Sequence, residues 1–291
     1  MMSDAMIVGR YAPSPTGDLH LGNIRTALLA WMQVRLQGGK LLMRMEDLDT
    51  PRVVQGSADQ ILRDLEWLGL DWDGEVVYQS QRKDLYEQAL MNLEQQNLIY
   101  PCYCSRKDIQ QAASAPHSNG VIYSGVCRNL TSEQRNERSK VKQPAIRCKV
   151  NDQLMSECGD FVIKRADGLF AYQLAVVVDD LEQGVNTVLR GQDLFESTER
   201  QKYLADKLAP NSPEIKYVHV PLMLDESGSR MSKRDGSLSV SEYRDKGYSA
   251  EKIIGELIYS LGWRDVKDEV STKELLQLFS SKVFIFDESH A

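Results

Sequence analysis

Apolar and polar positions change rhythm repeatedly along the chain, and each change predicts an element. Residues 6–12 form a short apolar run that ends in Pro13-Ser14-Pro15-Thr16-Gly17, where two prolines and a glycine impose a turn after a strand. From Asn23 onward Ile24, Ala27, Leu28, Trp31 and Val34 recur at helical spacing, and Gly38-Gly39 supplies a left-handed stop. Lys40 to Met45 reads as the next strand. Strand, turn, helix, strand is a βαβ unit and predicts a parallel sheet. The turn then lies at the carboxyl end of the first strand, the edge at which such sheets bind ligands.

Ser57 with Gln60 three residues on has the form of a capping box ahead of Ile61, Leu62, Leu65 and Leu68, which predicts a second helix. A third helix is expected over Gln81 to Gln96 and a strand over Leu98 to Cys102. Between Gln110 and Gly120 the pattern dissolves into small and polar residues, marking the start of an inserted subdomain. Asp167-Gly168, flanked by Phe161 to Arg165 and Leu169 to Tyr172, predicts a hairpin. A buried segment, Leu174 to Val178, leads into Asp179-Asp180, and Val185 to Leu189 reads as a strand ending at Arg190-Gly191. Helices are expected over Ser197 to Leu208 and Ala250 to Leu261.

Composition narrows the picture. Of 291 residues 42% are hydrophobic and 26% charged, which suits a globular chain with a substantial core. Residues 1–5 show no basic stretch leading into an apolar run, and no long uncharged apolar segment follows elsewhere. Neither a secretion signal nor a membrane partner is expected, and the chain is read as a cytoplasmic monomer. The net charge of -7 argues against a protein that grips long stretches of phosphate backbone. The basic islands at Ser105-Arg106-Lys107, Arg135 to Lys142 and Ser229 to Arg234 leave room for a short RNA contact, or are simply solvated surface.

Three segments carry candidate chemistry. His20-Leu21-Gly22-Asn23 sits where the first turn becomes a helix, so backbone N–H groups and the helix dipole can face an anion while Gly22 permits close approach. Arg230-Met231-Ser232-Lys233-Arg234 gathers three cations and a hydroxyl on a loop able to close over a triphosphate. Taken singly, these are a capping histidine and a solvated basic loop. Cys102-Tyr103-Cys104 with Cys127 brings three thiols close in sequence, a spacing that suits a tetrahedral metal ion better than a disulfide scaffold. By spacing His117 is the conventional fourth ligand, and three buried free thiols are the alternative.

Read in order, the segments resemble one family. Arg10-Tyr11-Ala12-Pro13-Ser14-Pro15-Thr16-Gly17 followed by His20-Leu21-Gly22-Asn23 resembles the HIGH signature of class I aminoacyl-tRNA synthetases in its glutamyl form, and Arg230 to Arg234 resembles the partner KMSKS signature. Arg44 to Asp49, Asp167 to Tyr172, Val176 to Asp180 and Leu189 to Asp193 match the same glutamyl branch. The first signature departs in ending at Asn23 rather than histidine, the second in beginning with Arg230 and ending with Arg234.

The resemblance implies an α/β fold. Its core would be a Rossmann-like, doubly wound parallel sheet spanning residues 1–100 and 161–225, with a zinc-bearing α+β subdomain inserted at 101–160. Residues 226–291 would hold the KMSKS-like loop and a truncated helical region. It implies that Arg10, Tyr11, Ala12, Pro13, Ser14, Glu46, Tyr172 and Arg190 contact L-glutamate, with Glu46 receiving the ammonium and the arginines the carboxylates. It implies that His20, Gly22, Asn23, Arg230, Met231, Ser232 and Lys233 bind ATP with Mg²⁺, His20 and Lys233 stabilising the transition state.

The run Cys102-x-Cys104 with Tyr123-x-x-x-Cys127 resembles the glutamyl-queuosine branch, which implies Tyr123 as the fourth ligand of one structural Zn²⁺. After Arg234 a small helical region is expected rather than an anticodon-reading domain. For that branch the acceptor is queuosine in the anticodon loop of tRNA(Asp), activation needing no RNA. A truncated enzyme charging a tRNA 3′ end, or a non-catalytic RNA-binding regulator, are the alternative readings.

Overall fold

The computed structural model describes residues 6–105, 107–109, 122–223 and 238–280. Its strands are β1 (Val8–Tyr11), β2 (Lys40–Met45), β3 (Val77–Tyr78), β4 (Ile99–Cys102), β5 (Ala145–Cys148), β6 (Phe161–Lys164), β7 (Thr187–Gly191) and β8 (Lys216–Val220). The helices are α1 (Leu21–Arg35), α2 (Ser57–Trp67), α3 (Lys83–Gln95), α4 (Ser132–Val141), α5 (Asp152–Glu157), α6 (Tyr172–Glu182), α7 (Thr198–Leu208), α8 (Val240–Asp245), α9 (Ala250–Ser260) and α10 (Thr272–Phe279). They form two compact units, one of residues 1–80, 184–195 and 215–291, the other of residues 81–183 and 196–214.

In the first unit β1 and β2 pair in parallel, with Arg10 opposite Leu42 and Tyr11 opposite Met43, and β3 adds in parallel on the far side of β2. The βαβ expectation holds, and Gly38 (φ 64) provides the left-handed stop after α1. β7 and β8 are also parallel. The start of β7 is tied to β1 at Asn186, whose N–H donates to the Val8 carbonyl while its Oδ1 accepts the Val8 N–H, both at 2.9 Å. α1 is buried on two sides. Leu29 and Ala30 pack on Leu189, Val218 and Val220, whereas Ile24, Leu28 and Trp31 share a core with Ile61, Leu65 and the α9 and α10 residues Ile254, Ile258 and Leu275. A Cβ built on Gly9 would lie 2.5 Å from Val34 Cγ2, so glycine is what lets α1 lie this close to β1.

The same unit sets the functional edge. The Arg25 guanidinium near the start of α1 donates to the carbonyl of Pro221, the residue after β8. The carboxyl ends of β1 and β8 therefore meet at the amino end of α1, where ligands of open parallel sheets sit. The expected capping box at Ser57 is not formed. Gly56 (φ 80) occupies the cap, and Ser57 Oγ instead accepts the Gly17 N–H at 3.1 Å and donates to the Gly17 carbonyl at 2.8 Å. A hydroxyl within reach of both unpaired groups of a turn satisfies two at once, and so it clamps the loop after β1.

In the second unit β4, β5 and β6 form an antiparallel sheet in that order. Beside it, Tyr86 of α3 donates its hydroxyl to Asp179 of α6 at 2.9 Å, and Arg82 Nε donates to the same carboxylate at 2.6 Å. Asp179 lies in a segment matched to the family, yet here it is fully buried and joins two helices. The expected hairpin shrinks to one antiparallel bridge, Lys164 with Phe170, across a turn at Gly168. Tyr172 then opens α6, because Leu174 to Asp180 are buried on every side and a continuous apolar run suits a buried helix as well as a strand.

Candidate functional site

At the carboxyl edge of the first unit β1 presents Arg10, which is 4% exposed, and the following turn carries Ala12, Pro13 and exposed Ser14. The Glu46 N–H donates to the Pro13 carbonyl at 3.0 Å, joining the ends of β1 and β2. Behind Glu46 its carboxylate lies 4.0 Å from the guanidinium of Arg44, which is wholly buried. Tyr11 is buried and donates its hydroxyl to the Asn23 carbonyl at 3.3 Å, and burial pushes its phenol pKa upward.

β7 delivers Arg190, 3% exposed, to this edge. Its Nε donates to His219 Nε2 at 3.1 Å, a second nitrogen donates to the Leu194 carbonyl at 3.1 Å, and its guanidinium carbon stands 4.8 Å from the Tyr217 ring centre. His219 in turn meets the Phe195 ring edge-on at 5.1 Å. Burial, with the Arg190 charge as the second cause, drives the His219 pKa down to about 4. The imidazole is thus neutral at physiological pH and can accept the guanidinium proton.

His20 caps α1 in an extended conformation, and Asn23 Oδ1 accepts its N–H at 3.3 Å. The residue that departs from the family's histidine therefore serves here as a helix-start ligand. His20 pairs through its backbone with Ser239, and the Val240 N–H donates to the Leu19 carbonyl at 3.2 Å, so the chain just after the second signature returns to the first. Arg230, Met231, Ser232, Lys233 and His117 lie outside the described residues. Among the described residues, a Cβ on Gly22 would find only Met223 Cβ, 4.0 Å away. Tyr172, half-buried, heads α6 in the second unit.

The second unit brings the three thiols together, the Sγ atoms of Cys102, Cys104 and Cys127 all lying within 4.8 Å of one another. Cys104 and Cys127 sulfurs are 3.5 Å apart, far beyond a disulfide bond and close to the roughly 3.8 Å that tetrahedral Zn–S bonds impose. Tyr123 Oη stands 3.4 Å from Cys102 Sγ and 3.7 Å from Cys104 Sγ, and it accepts the Cys127 N–H at 3.0 Å. Burial raises the Cys104 thiol to about 11 and pushes the Tyr123 phenol up. The Cys127 thiol is lowered, burial being outweighed by the Tyr103 backbone and by neighbouring side-chain bonds. This donor set fits a metal ion. Cys148, buried, and Cys158, half-buried, are free thiols outside the cluster.

Residues 6–285 match the family described as tRNA synthetases class I (E and Q), catalytic domain. The chain belongs to this family. It is 49% identical to a Glutamyl-Q tRNA(Asp) synthetase of Nocardia farcinica over 87% of this chain and 84% of that one, and 43% identical to a Glutamyl-Q tRNA(Asp) synthetase of Symbiobacterium thermophilum over 94% and 92%. Its fold superposes on the crystal structure of a glutamate-tRNA synthetase from Elizabethkingia anophelis with a TM-score of 0.77 at 26% identity. That match covers 94% of this chain but only 65% of the solved one. The resemblance drawn from the motifs is borne out, as is an α/β class I catalytic fold with parallel strands.

Sequence reasoning missed His219, Tyr217 and Phe195 around Arg190, and Arg147 and Arg138 around the thiols. The run Ile215 to Val220, β-branched and aromatic, was the available signal for β8 and thus for His219. Nothing local marks Arg147, which reaches the thiols through the pairing of β4 with β5.

Proposed function

We propose that this chain activates L-glutamate as glutamyl-adenylate, without needing RNA for that step, and transfers the glutamyl group to queuosine in the anticodon loop of tRNA(Asp). The observation that carries the reading is a pair of buried guanidiniums, Arg10 on β1 and Arg190 on β7, each near the carboxyl end of its strand in the same unit. A substrate with two carboxylates is matched by two such cations, since a guanidinium can meet a carboxylate through two parallel charge-assisted hydrogen bonds. Glu46, its charge balanced by Arg44, receives the ammonium, and Tyr11 to Ser14 add the further amino-acid contacts of this unit.

A glutamate carboxylate oxygen attacks the α-phosphorus of ATP, pyrophosphate leaves, and a hydroxyl of the modified base then attacks the acyl carbon and releases AMP. His20, Gly22 and Asn23 at the start of α1, with Arg230, Met231, Ser232 and Lys233, hold the triphosphate. His20 and Lys233 stabilise the charge that develops, and Mg²⁺ shares it when bound. Cys102, Cys104, Cys127 and Tyr123 hold one structural Zn²⁺. A monomer in the reducing cytoplasm suits the free thiols. The names of the relatives support the acceptor.

Glutamate-dependent ATP–pyrophosphate exchange without RNA tests the activation step, and absence of exchange with any amino acid would refute it. For the transfer step, labelled glutamate should enter tRNA that carries queuosine and has lost its 3′-terminal adenosine. Equal labelling of tRNA lacking queuosine, or loss of labelling on 3′ trimming, favours a 3′-end charging enzyme instead.

A further inference from the structure

The metal donors proposed above carry an electrostatic problem that the surrounding side chains resolve. Three thiolates and a phenolate bring four negative charges to one point, a divalent ion cancels two, and the remainder sits where Cys102, Cys127 and Tyr123 are all buried. Uncompensated charge in such a place is expensive. Two guanidiniums are aimed at it. Arg147, 8% exposed on β5, donates its Nε to Cys102 Sγ at 3.3 Å and lays its guanidinium carbon 3.8 Å from the centre of the Tyr123 ring. Arg138 of α4 donates to Cys127 Sγ at 3.7 Å.

The charge of Arg147 is not spent elsewhere on Asp160, the acid nearby. That carboxylate is met by Arg128 at 3.1 Å, the Tyr100 hydroxyl at 2.7 Å and the Val150 N–H at 2.8 Å, whereas Arg147 reaches only the Asp160 backbone carbonyl, at 2.6 Å. The carbonyl bond anchors one end of the guanidinium and leaves its Nε edge and its face toward the sulfur and the phenol. Strand pairing makes this possible. Tyr100 opposes Arg147 and Cys102 opposes Ala145, so Cys102 and Arg147 project from one face of the antiparallel pair, two positions apart.

We propose that Arg147 and Arg138 are the counter-charges of a three-thiolate, one-phenolate zinc centre, with Arg147 also the positioning residue that aims Cys102 and Tyr123 at the ion. The proposal rests on the metal reading above. Outer-sphere partners of this kind typically govern metal affinity by 10- to 100-fold.

The test is zinc competition against a chromophoric chelator, together with the absorption spectrum of the cobalt-substituted protein. Arg147→Met should bind zinc about 10- to 100-fold more weakly than wild type and shift the sulfur-to-cobalt charge-transfer band, because Cys102 loses its hydrogen bond. Arg147→Lys, which keeps the charge, should recover part of the affinity. Arg138→Gln, on a helix with no buried residue, should weaken binding several-fold without touching the fold. Wild-type affinity and spectrum in Arg147→Met overturn the inference while leaving the metal site standing. A wild-type protein that binds no zinc overturns the metal reading itself. If Arg147→Met does not fold, Arg147→Lys and Arg138→Gln decide, and unchanged affinity in both refutes the proposal.

Discussion

Replacing His219 by leucine probes how Arg190 is held. The substitution removes the acceptor 3.1 Å from Arg190 Nε at a point where both residues are buried, so the guanidinium keeps its Leu194 contact but loses the bond that sets its plane. Losing a buried hydrogen bond from a charged donor costs about 1–3 kcal/mol, and if that cost falls on glutamate binding it lowers kcat/KM for glutamate by roughly 5- to 150-fold. Glutamate-dependent ATP–pyrophosphate exchange separates the effects. KM for glutamate should rise while KM for ATP holds, since His219 bonds Arg190 of the glutamate site and packs on Phe195. His219→Gln, whose amide oxygen can accept the same proton, should restore most of the loss. A leucine variant with wild-type KM for glutamate would show that His219 merely fills space, and the reasoning from Arg190 orientation would fall.

Three further outcomes are expected. His219 is held near pH 4 while its unfolded form titrates near 6.5, so between these values the unfolded chain binds the extra proton and stability is lost as pH falls. The loss from this residue is about 2 kcal/mol between pH 7 and pH 5, and denaturation midpoints of wild type and His219→Leu with the same pH slope would contradict it. Arg190→Lys should reduce glutamate-dependent exchange by about tenfold or more, because lysine cannot bond His219, bond Leu194 and stack on Tyr217 together. Near-normal exchange would remove Arg190 from the glutamate site. Cys104→Ser should lose zinc to a chelator that wild type resists, and the chelator should lower the melting temperature of wild type but not of the variant. Equal zinc content in the two proteins favours three free thiols.

Local pattern was enough for much of this fold. The spacing of Ile24, Ala27, Leu28, Trp31 and Val34, bounded by Gly38, marks α1 because a helix repeats its buried face every three or four residues and glycine alone accepts the reversed backbone cheaply. β2 is legible from end to end, and the order of the signatures carries the family. Metal-type spacing of Cys102, Cys104 and Cys127 was readable too, although the chain itself holds only Cys102 and Cys104 close, and the fold brings Cys127 to them. Long-range pairing was not. Ser57 has every local mark of a capping residue, and only the arrival of Gly17 diverts its hydroxyl. Asp179 sits in a motif but is consumed by Arg82 and Tyr86, partners far away in the chain. His219 meets Arg190 because β7 and β8 pair in register, and Arg147 meets Cys102 because β5 lies beside β4. Hydrogen bonds and charges act through distances of a few ångströms. Which distant residues come that close is settled by strand register and core packing, so the chain's chemistry was legible as types and motifs, while the partners that tune it were decided by the tertiary structure.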